Sequence, residues 1–306
     1  MSEFTPNSED TNLNPSITPK VSSDIATESS NRELGSESNT NERISSNYEE
    51  QASAYLQCVS NAPFTQHYME QTRIALDLHQ GDRIFDLGCG RGVDLQEIAE
   101  VVAPNGEVYG LDNAVDMVGE ANSLHQGIGN IIIRLADGEQ LPFDDNYFDA
   151  GRSIRVLQHV KNLESVLAEM QRVTKTGGKI VVLDPDWESL SISPVASLEM
   201  FSGISEQVLE AGRETIQNPN IPKELPELCR GKGLEVLSST TFSRKVHSFS
   251  DANKFYSLGK CGRFLVDKGQ LSEHHYQQWI QACEEATNRG TFLLALTLVM
   301  ITMEVA

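Results

Sequence analysis

Short apolar runs alternate with longer amphipathic segments through the middle of the chain, and this alternation predicts its secondary structure. Residues 84–87 form an apolar run of strand length, and the apolar residues after it recur at the three- and four-residue spacing of a helix. The pattern repeats and predicts five strands at 84–87, 107–111, 131–135, 148–153 and 179–183. Strands that alternate with helices in this way form a doubly wound α/β sheet with right-handed crossovers.

The C-terminal part of the chain predicts two more strands with a helical insertion between them. Residues 234–242 and 291–305 are rich in apolar and β-branched side chains, which favour strands. Residues 248–289 have the periodicity of two helices, although neighbouring strands need only a tight turn. We therefore predict a Rossmann-like α/β fold: a doubly wound, seven-stranded sheet with an antiparallel last strand, N-terminal helices and a helical C-terminal insertion that acts as a lid.

The N-terminal segment differs in composition from the rest of the chain. Residues 1–42 are dominated by Ser, Thr, Asn, Glu and Pro, and they contain too few apolar side chains to bury a core. They are predicted to be a disordered acidic tail, and residues 43–306 are predicted to form one domain. The first helices of this domain carry Tyr55 and Tyr68, which are expected to cover the cleft and contact the substrate.

Charge and cysteine content narrow the class of protein. The chain has 24 Lys and Arg residues against 44 Asp and Glu, a net charge of −20 and a pI near 4.7, which argues against a nucleic-acid partner. No apolar run has the length of a membrane span, and the N-terminus has no basic and apolar leader. The five cysteines are widely spaced, and no metal-ligand spacing occurs. These features predict a cytoplasmic protein without a metal site; they give no indication of its oligomeric state.

Three alternating glycines after the first strand predict a nucleotide-binding turn. Gly88, Gly90 and Gly92 lie between the strand and the next helix, where glycine permits positive φ and close approach of a ligand to the backbone. The dinucleotide fingerprint requires a further glycine at the position of Val93, so the match to an NAD site fails by one position.

An aspartate stands at the carboxyl end of each of the first three strands: Asp86, Asp112 and Asp137. The carboxyl ends of parallel strands meet at the edge of the sheet where open α/β proteins bind ligands, so the three carboxylates are expected to share one cleft. Asp112 and Asp137 also fit a second interpretation, in which they cap a helix or a turn. Three aspartates at three successive strand ends favour the ligand site.

Five stretches together resemble the class I S-adenosylmethionine-dependent methyltransferases, in particular the small-molecule group that includes quinone and natural-product methyltransferases. The stretches are FDLGCGRG at 85–92, GLD at 110–112, ADGEQLPF at 136–143 with FD at 148–149, RVLQHV at 155–160, and EMQRVTKTGG at 169–178. The resemblance runs from about residue 48 to the end of the chain. It departs from the usual pattern at Thr176, where the family commonly has proline before the glycine pair.

The resemblance implies S-adenosyl-L-methionine as the cofactor and a small molecule as the methyl acceptor. Asp112 would accept hydrogen bonds from the ribose hydroxyls, Asp137 would accept one from the adenine amino group, and the Gly138 amide would donate to the ring. Asp86 would face the ammonium group of the methionine moiety, directly or through water. The other residues implied in cofactor binding are Gly88, Cys89, Gly90, Asn113, Met117, Arg152 and Ser153.

Methyl transfer is a direct displacement at carbon, in which a protein chiefly aligns the reactants and excludes water. His159 is the candidate catalytic base, although a histidine that bonds the backbone near a helix start explains it as well. Trp187 follows the fifth strand and is a candidate substrate contact or a packing residue. The favoured function is O-, N- or C-methylation of a small hydrophobic or aromatic metabolite. Two alternatives remain open: an NAD-linked oxidoreductase, and a cofactor-binding module without turnover.

Overall fold

The computed structural model describes residues 62–193 and 199–306. The predicted tail, residues 1–42, and the candidate substrate contact Tyr55 lie outside the described residues. The second of the predicted N-terminal helices is α1 (Pro63–Leu76), which begins at a proline whose missing amide proton costs the first turn nothing. The domain boundary at residue 43 stays a prediction.

Strands and helices alternate through the described part of the chain. In the N-terminal half, α1 is followed by β1 (Arg83–Leu87), α2 (Leu95–Val102), β2 (Glu107–Asp112), α3 (Val115–Leu124), β3 (Ile131–Leu135), β4 (Phe148–Ile154), a short 3-10 helix (Leu157–His159), α4 (Leu163–Val173) and β5 (Thr174–Ile192). The C-terminal half contains α5 (Glu199–Arg213), α6 (Ile221–Cys229), β6 (Leu234–Val246), α7 (Phe249–Tyr256), α8 (Leu258–Asp267), α9 (Glu273–Asn288) and β7 (Leu294–Val305).

The strands form one seven-stranded sheet with the order β3-β2-β1-β4-β5-β7-β6. The pairs β1–β2, β1–β4, β2–β3 and β4–β5 are parallel, whereas β7 runs antiparallel between β5 and β6. The predicted doubly wound α/β fold with an antiparallel last strand is confirmed. The strand order reverses between β1 and β4, and this switch point is where open α/β sheets leave a crevice at the carboxyl ends of their strands.

Apolar side chains cover both faces of the sheet because successive strand residues point to opposite sides. Ile84 of β1 packs in a cluster with Ile98 of α2 on one face. Its neighbour Phe85 packs on the other face, in a cluster with Met170 of α4. Helices therefore cover both faces, and the strand ends are left as the site for polar groups.

The insertion between β6 and β7 is divided differently from the prediction. The periodicity predicts two helices, and the structure has three: α7, α8 and α9. Ser257 ends α7 in the left-handed conformation, with φ of 52°, and the Gly259 amide donates to Asn253 Oδ1 at 2.7 Å. The apolar spacing continues through this turn, so the pattern alone could not reveal the break.

The insertion is part of the same hydrophobic core as the sheet. Trp279 of α9 is fully buried, and its Nε1 donates to Ser205 Oγ of α5 at 3.0 Å. The ring of Phe249 lies between Trp279 and Phe292, with centroid distances of 5.6 and 5.9 Å. Removing the whole insertion would therefore open the core of the domain.

Candidate functional site

The glycine turn after β1 closes onto the end of β2. The Gly88 amide donates to the Leu111 carbonyl at 2.7 Å, and the Gly90 amide donates to Asp112 Oδ2 at 2.8 Å. Gly88 has φ of 71°, and a Cβ at this position would lie 2.2 Å from a methyl carbon of Val156. Glycine is therefore required at this position both by the backbone conformation and by the close approach of the segment after β4.

Asp112 and Asp137 hold their carboxylates in place through backbone hydrogen bonds. Asp112 is half-buried, and its Oδ1 accepts from the Ala114 amide at 2.9 Å in addition to the bond from Gly90 to Oδ2. Asp137 is exposed, and its Oδ1 accepts from the Glu139 amide at 3.0 Å. These are the capping bonds of the second interpretation. Since a carboxylate oxygen has two lone pairs, capping leaves each group able to accept from a ligand as well.

Asp86 and Arg152 form a buried ionic cluster beneath the turn. Arg152 is fully buried, and its Nη2 donates to Asp86 Oδ2 and to Asp94 Oδ1, each at 2.7 Å. Arg152 Nη1 lies 3.4 Å from Thr72 Oγ1, and Arg73 approaches Asp94 Oδ2 at 3.5 Å. One guanidinium thus joins β1, β4 and the residue before α2.

The two carboxyl groups of this cluster differ in pKa. Burial raises the pKa of Asp86 to about 6, although the charge of Arg152 opposes the shift. Burial also opposes the ionisation of Asp94, but Arg152 and Arg73 outweigh it and bring the pKa of Asp94 below its ordinary value. Of the two carboxyl groups, Asp94 therefore stays ionised to the lower pH. A ligand ammonium group beside Asp86 would favour its ionised form.

A cleft of about 470 Å³ lies at the carboxyl ends of the first four strands. Its volume is within the range of small-molecule sites, roughly 300–1,000 Å³. The residues of the sequence prediction that line it are Gly88, Asp112, Asn113, Asp137, Gly138 and His159. The remaining predicted cofactor residues lie in the elements around the cleft and not in its wall: Asp86, Cys89, Gly90, Met117, Arg152 and Ser153.

All six of these surrounding residues are partly or fully removed from solvent. Ser153 is fully buried, and its hydroxyl has no hydrogen-bond partner within the described ranges. The Cys89 thiol is half-buried, and burial raises its pKa, so it is protonated at neutral pH. Met117 is half-buried in the first turn of α3. Their direct contact with a cofactor stays a prediction.

The segment that follows β4 forms another part of the cleft wall, next to the glycine turn. Arg155 adopts the left-handed conformation, with φ of 61°, and its amide donates to the Leu183 carbonyl at 2.7 Å. The 3-10 helix then ends at His159, an exposed residue of the cleft wall. Partial burial and the charge of Arg155 lower the pKa of His159, so its imidazole is neutral at pH 7 and able to accept a proton.

Asp184, at the end of the parallel part of β5, supports this segment from below. The side chain is fully buried, and Oδ1 accepts from the Gln158 amide at 3.4 Å, whereas Oδ2 has no hydrogen-bond partner among residues 62–193 and 199–306. Burial raises the pKa of Asp184 to about 7, with backbone hydrogen bonds and Arg155 opposing the shift. Its protonation state therefore changes near neutral pH.

Trp187 connects the cleft wall to two further cavities. Its Nε1 donates to Gln158 Oε1 at 2.7 Å, and its ring meets Tyr256 edge-on with a centroid distance of 6.3 Å. A narrow cavity of about 20 Å³ lies between Trp187, Tyr68 and Arg155. Tyr68 and Trp187, both predicted to contact substrate, thus lie in the wall of the same small space.

An apolar cavity of about 530 Å³ continues beyond Trp187. It is lined by the end of β5 and by the helices α5, α7 and α8, with Leu190, Val208, Leu209, Phe255, Tyr256 and Phe264 among its wall residues. Trp187 and Tyr256 line both this cavity and the narrow one. The cleft, the narrow cavity and the apolar cavity therefore form a row that crosses the carboxyl ends of the strands.

The sequence predicts no role for Arg155 and Arg244, which line this row, or for Gln158, which bonds Trp187. Arg155 and Gln158 belong to the RVLQHV stretch, which served only as a mark of resemblance. The left-handed backbone at Arg155 has no sequence signal, because glycine and asparagine are the residues that indicate this conformation. Arg244 lies in β6, and its position against the insertion depends on tertiary packing.

Two features are absent from the part of the chain that the structure describes. No helix within residues 62–193 and 199–306 is long and apolar enough to cross a membrane. In the same ranges, no group of three or more His, Cys, Asp or Glu side chains is arranged to hold a metal ion.

Comparison with known proteins identifies the family. The methyltransferase domain family matches residues 78–231, half of the chain. An uncharacterized 37.1 kDa protein in transposon TN4556 of Streptomyces fradiae is 29% identical over 248 residues, which cover 81% of this chain and 70% of that protein. The demethylmenaquinone methyltransferase of Geobacillus kaustophilus is 35% identical over 153 residues, which cover 49% of this chain and 65% of that protein. The chain thus spans less than two thirds of the length of this quinone methyltransferase.

The fold is shared with a solved structure, the YcgJ protein of Bacillus subtilis. The two chains align with a TM-score of 0.53 and 17% identity, over 78% of this chain and 98% of YcgJ. At this identity the likeness shows the fold alone. The sequence motifs, the sheet order and the family match agree, and the chain belongs to the methyltransferase domain family as a class I S-adenosylmethionine-dependent methyltransferase.

Proposed function

We propose that the cleft holds S-adenosylmethionine and that its methyl group passes to a small hydrophobic or aromatic acceptor held in the cavities beyond Trp187. The row of three cavities carries this proposal. Arg155 lines both the cleft and the narrow cavity, and Trp187 lines both the narrow and the apolar cavity. A cofactor in the cleft and an acceptor in the apolar cavity would approach each other through the narrow cavity, past Arg155.

Each fixed polar group of the cleft has a matching group on the cofactor. Asp112 offers two carboxylate oxygens, both already oriented by backbone amides, to a vicinal diol. Asp137 offers an acceptor to an exocyclic amino group, and the Gly138 amide offers a donor to the ring. Gly88 lines the cleft, and a Cβ at Gly90 would meet no atom within 4 Å, so a ligand can lie against the turn, with the Asp86 carboxylate beneath it for an ammonium group.

When bound, S-adenosylmethionine supplies an electrophilic methyl group on a sulfonium that leaves without protonation. The chain then has to align the acceptor and exclude water. Trp187 is suited to alignment because its hydrogen bond to Gln158 fixes the indole relative to the cleft wall. His159 is neutral at pH 7, so it serves as a base for an acceptor that must lose a proton.

The wall of the apolar cavity favours a hydrophobic acceptor of the quinone type. Its lining is largely aliphatic and aromatic, and such walls bind apolar bodies while a few polar groups set the orientation. The name of the Geobacillus kaustophilus relative, a demethylmenaquinone methyltransferase, is in keeping with this class. The family match ends at residue 231, so α7 and α8 are features of this chain beyond the match.

Isothermal titration with S-adenosylmethionine, S-adenosylhomocysteine and NAD tests the cofactor site. We expect both sulfur compounds to bind and NAD not to bind. Asp112→Ala should weaken binding by about 1.5–3 kcal/mol, the cost of losing charged hydrogen bonds. Asp137→Ala should also weaken binding, and the losses of binding free energy from the two substitutions should be roughly additive. The control is Asp116→Ala, an exposed aspartate on the first turn of α3. Unchanged affinity in a folded Asp112→Ala protein would contradict the assignment.

Transfer of a labelled methyl group from S-adenosylmethionine into a metabolite extract tests turnover. We expect label to appear in an apolar, small-molecule fraction. Cofactor binding without any transfer would favour the binding module, and NAD binding in the cleft would favour the oxidoreductase.

A further inference from the structure

Two guanidinium groups stand in the wall of the narrow cavity. Arg155 and Arg244 line it from opposite parts of the chain, and the rest of the wall is aromatic and aliphatic. Arg155 follows β4, the central strand of the sheet, whereas Arg244 lies in the edge strand β6. Because the narrow cavity lies between the cleft and the apolar cavity, an acceptor that reaches from one to the other passes both groups.

Arg244 is held by stacking on the insertion. Its guanidinium carbon lies 3.9 Å from the ring centroid of Phe255 and 5.9 Å from that of Tyr256, and the residue is half-buried. A guanidinium that stacks on an aromatic face keeps its N–H donors in the plane, where they match a carboxylate or another planar anion. Stacking therefore presents Arg244 as a fixed anion-binding group.

The position of Arg155 is fixed by the conformation and hydrogen bonding of its backbone. It is a non-glycine residue with φ of 61°, and its amide is fixed to the Leu183 carbonyl at 2.7 Å. Backbone in this region costs free energy and persists where the surrounding structure imposes it, often at ligand sites. The positive charge of Arg155 acts on two neighbours, lowering the pKa of His159 and opposing the rise in the pKa of Asp184.

We propose that the acceptor carries an anionic oxygen group, such as a carboxylate or a phenolate, on an apolar body. The anionic group lies between Arg155 and Arg244, and the body lies in the apolar cavity beyond Trp187. This inference rests on the proposed function, because it specifies the acceptor of that site. Both guanidinium groups line this cavity, and a wall that carries positive charge favours an anionic ligand over a neutral one of similar shape.

The pair of arginines also has a chemical consequence. Positive charge within a few ångströms favours the ionised form of an acidic hydroxyl. A phenol that binds here gives up its proton to solvent on binding, so its oxygen is an anion before it meets the methyl donor. The arginines then supply the activation that a base would otherwise provide.

Three naphthalene probes of similar size separate charge from hydrophobicity: naphthoate, naphthylmethanol and naphthylmethylamine. Each is titrated calorimetrically into the full chain, with and without saturating S-adenosylhomocysteine. We expect naphthoate to bind about tenfold or more tighter than naphthylmethanol, as charge-assisted hydrogen bonds require, and naphthylmethylamine to bind most weakly.

Arg244→Gln assigns the preference to this site. In this variant the naphthoate affinity should fall to within about threefold of the naphthylmethanol affinity, while naphthylmethanol and S-adenosylhomocysteine bind as before. Arg155→Gln should reduce the preference in the same direction. The matched control is Arg263→Gln: Arg263 is exposed on α8 and also stacks on an aromatic ring, that of Tyr276 at 4.8 Å, and its removal changes the net charge equally.

The outcomes separate this inference from the proposed function. Equal affinity of the wild-type chain for naphthoate and naphthylmethanol, or no binding of naphthoate at millimolar concentration, overturns the anionic acceptor. A preference that survives unchanged in folded Arg244→Gln and Arg155→Gln proteins overturns it as well. Failure of S-adenosylhomocysteine to bind contradicts the proposed function instead, and the probe series without cofactor still decides on the anion site.

Discussion

The cofactor cleft and the apolar cavity are neighbours on the same sheet, yet they are built in different ways. The cleft is formed by turns at strand ends, where Gly88, Asp112 and Asp137 are positioned by backbone hydrogen bonds and close backbone contact. The apolar cavity is formed by side chains of α5, α7 and α8, which are positioned by packing. The family match includes the whole of the first region and ends before α7 and α8.

The difference explains why one region can be recognised in a sequence and the other cannot. A ligand site made of backbone requires glycine or aspartate at a few fixed positions, and the spacing of those residues is a motif. A wall made of apolar side chains accepts many combinations of residues of similar volume. Its sequence therefore indicates polarity and length, while the shape of the cavity follows from the tertiary structure.

Trp279→Ala should have the largest effect on the free energy of unfolding, and it tests whether the insertion is separable. Trp279 is fully buried in the core shared with the sheet, so its truncation should cost about 3–5 kcal/mol. Because the two regions share that core, chemical denaturation of the variant should still show one transition when followed by circular dichroism and by fluorescence.

Trp187→Ala is the matched control, because Trp187 is only half-buried on the cavity wall. Its truncation should destabilise the fold less and weaken binding of the naphthalene probes. Two separate transitions in Trp279→Ala would instead show that the insertion unfolds independently of the sheet.

The alternation of apolar runs was sufficient to predict the sheet but not the full length of every strand. The fifth strand was predicted at 179–183 and extends over Thr174–Ile192, because antiparallel pairing with β7 continues to Asp186 and resumes at Ser191. Long-range pairing of this kind has no local signal. Residues 148–153, by contrast, agree closely with β4 (Phe148–Ile154), where the strand is bounded by its own turn.

In the candidate site, the sequence predicted which strand ends carry polar groups but not which side chains face the cleft. Asp112, Asp137 and His159 line it, whereas Arg152 is fully buried against Asp86. A basic residue near a strand end resembles a ligand contact in sequence. Its actual partner lies 66 positions away, and only the parallel register of β1 and β4, which pairs Asp86 with Arg152, brings the two together.

Gly88→Ala and Gly90→Ala distinguish two reasons why the cleft needs glycine: close contact with a neighbouring segment and a left-handed backbone conformation. Both glycines have positive φ, but a Cβ at Gly88 would meet Val156 at 2.2 Å, whereas a Cβ at Gly90 would meet no atom within 4 Å. Gly90→Ala should cost about 1–2 kcal/mol of stability from the left-handed backbone alone. Gly88→Ala should cost about 2–4 kcal/mol, because overpacking is added.

Thermal and denaturant unfolding of the two glycine variants measure this difference. Titration of both with S-adenosylhomocysteine then shows whether the cofactor itself lies against the turn. Equal destabilisation by the two substitutions would contradict the close approach of Val156 to the glycine turn.

Asp184→Asn tests the residue that links the two regions, and its effect depends on pH. Asp184 supports the Gln158 amide of the cleft wall, and it lies in the strand that leads to Trp187. Its pKa is about 7 in the folded chain against an ordinary value of 3.8, so between these values the folded state holds a proton that the unfolded state has lost. The contribution of Asp184 to the free energy of unfolding should therefore fall as the pH rises through this window, and the fall should be complete above about pH 7.

Relative to Asp184→Asn, which cannot ionise at this position, the wild-type chain should lose about 2–3 kcal/mol between pH 5 and pH 8, at about 1.4 kcal/mol per pH unit. The buried Asp86 is present in both proteins, so its contribution cancels in the comparison. Unfolding free energies of the two proteins at several pH values provide the measurement, with exposed Asp116→Asn as the control for removing a carboxyl group. A constant difference between wild type and Asp184→Asn from pH 5 to pH 8 would show that Asp184 is ionised throughout. The wall between cleft and cavity would then rest on a fixed charge instead of a titrating one.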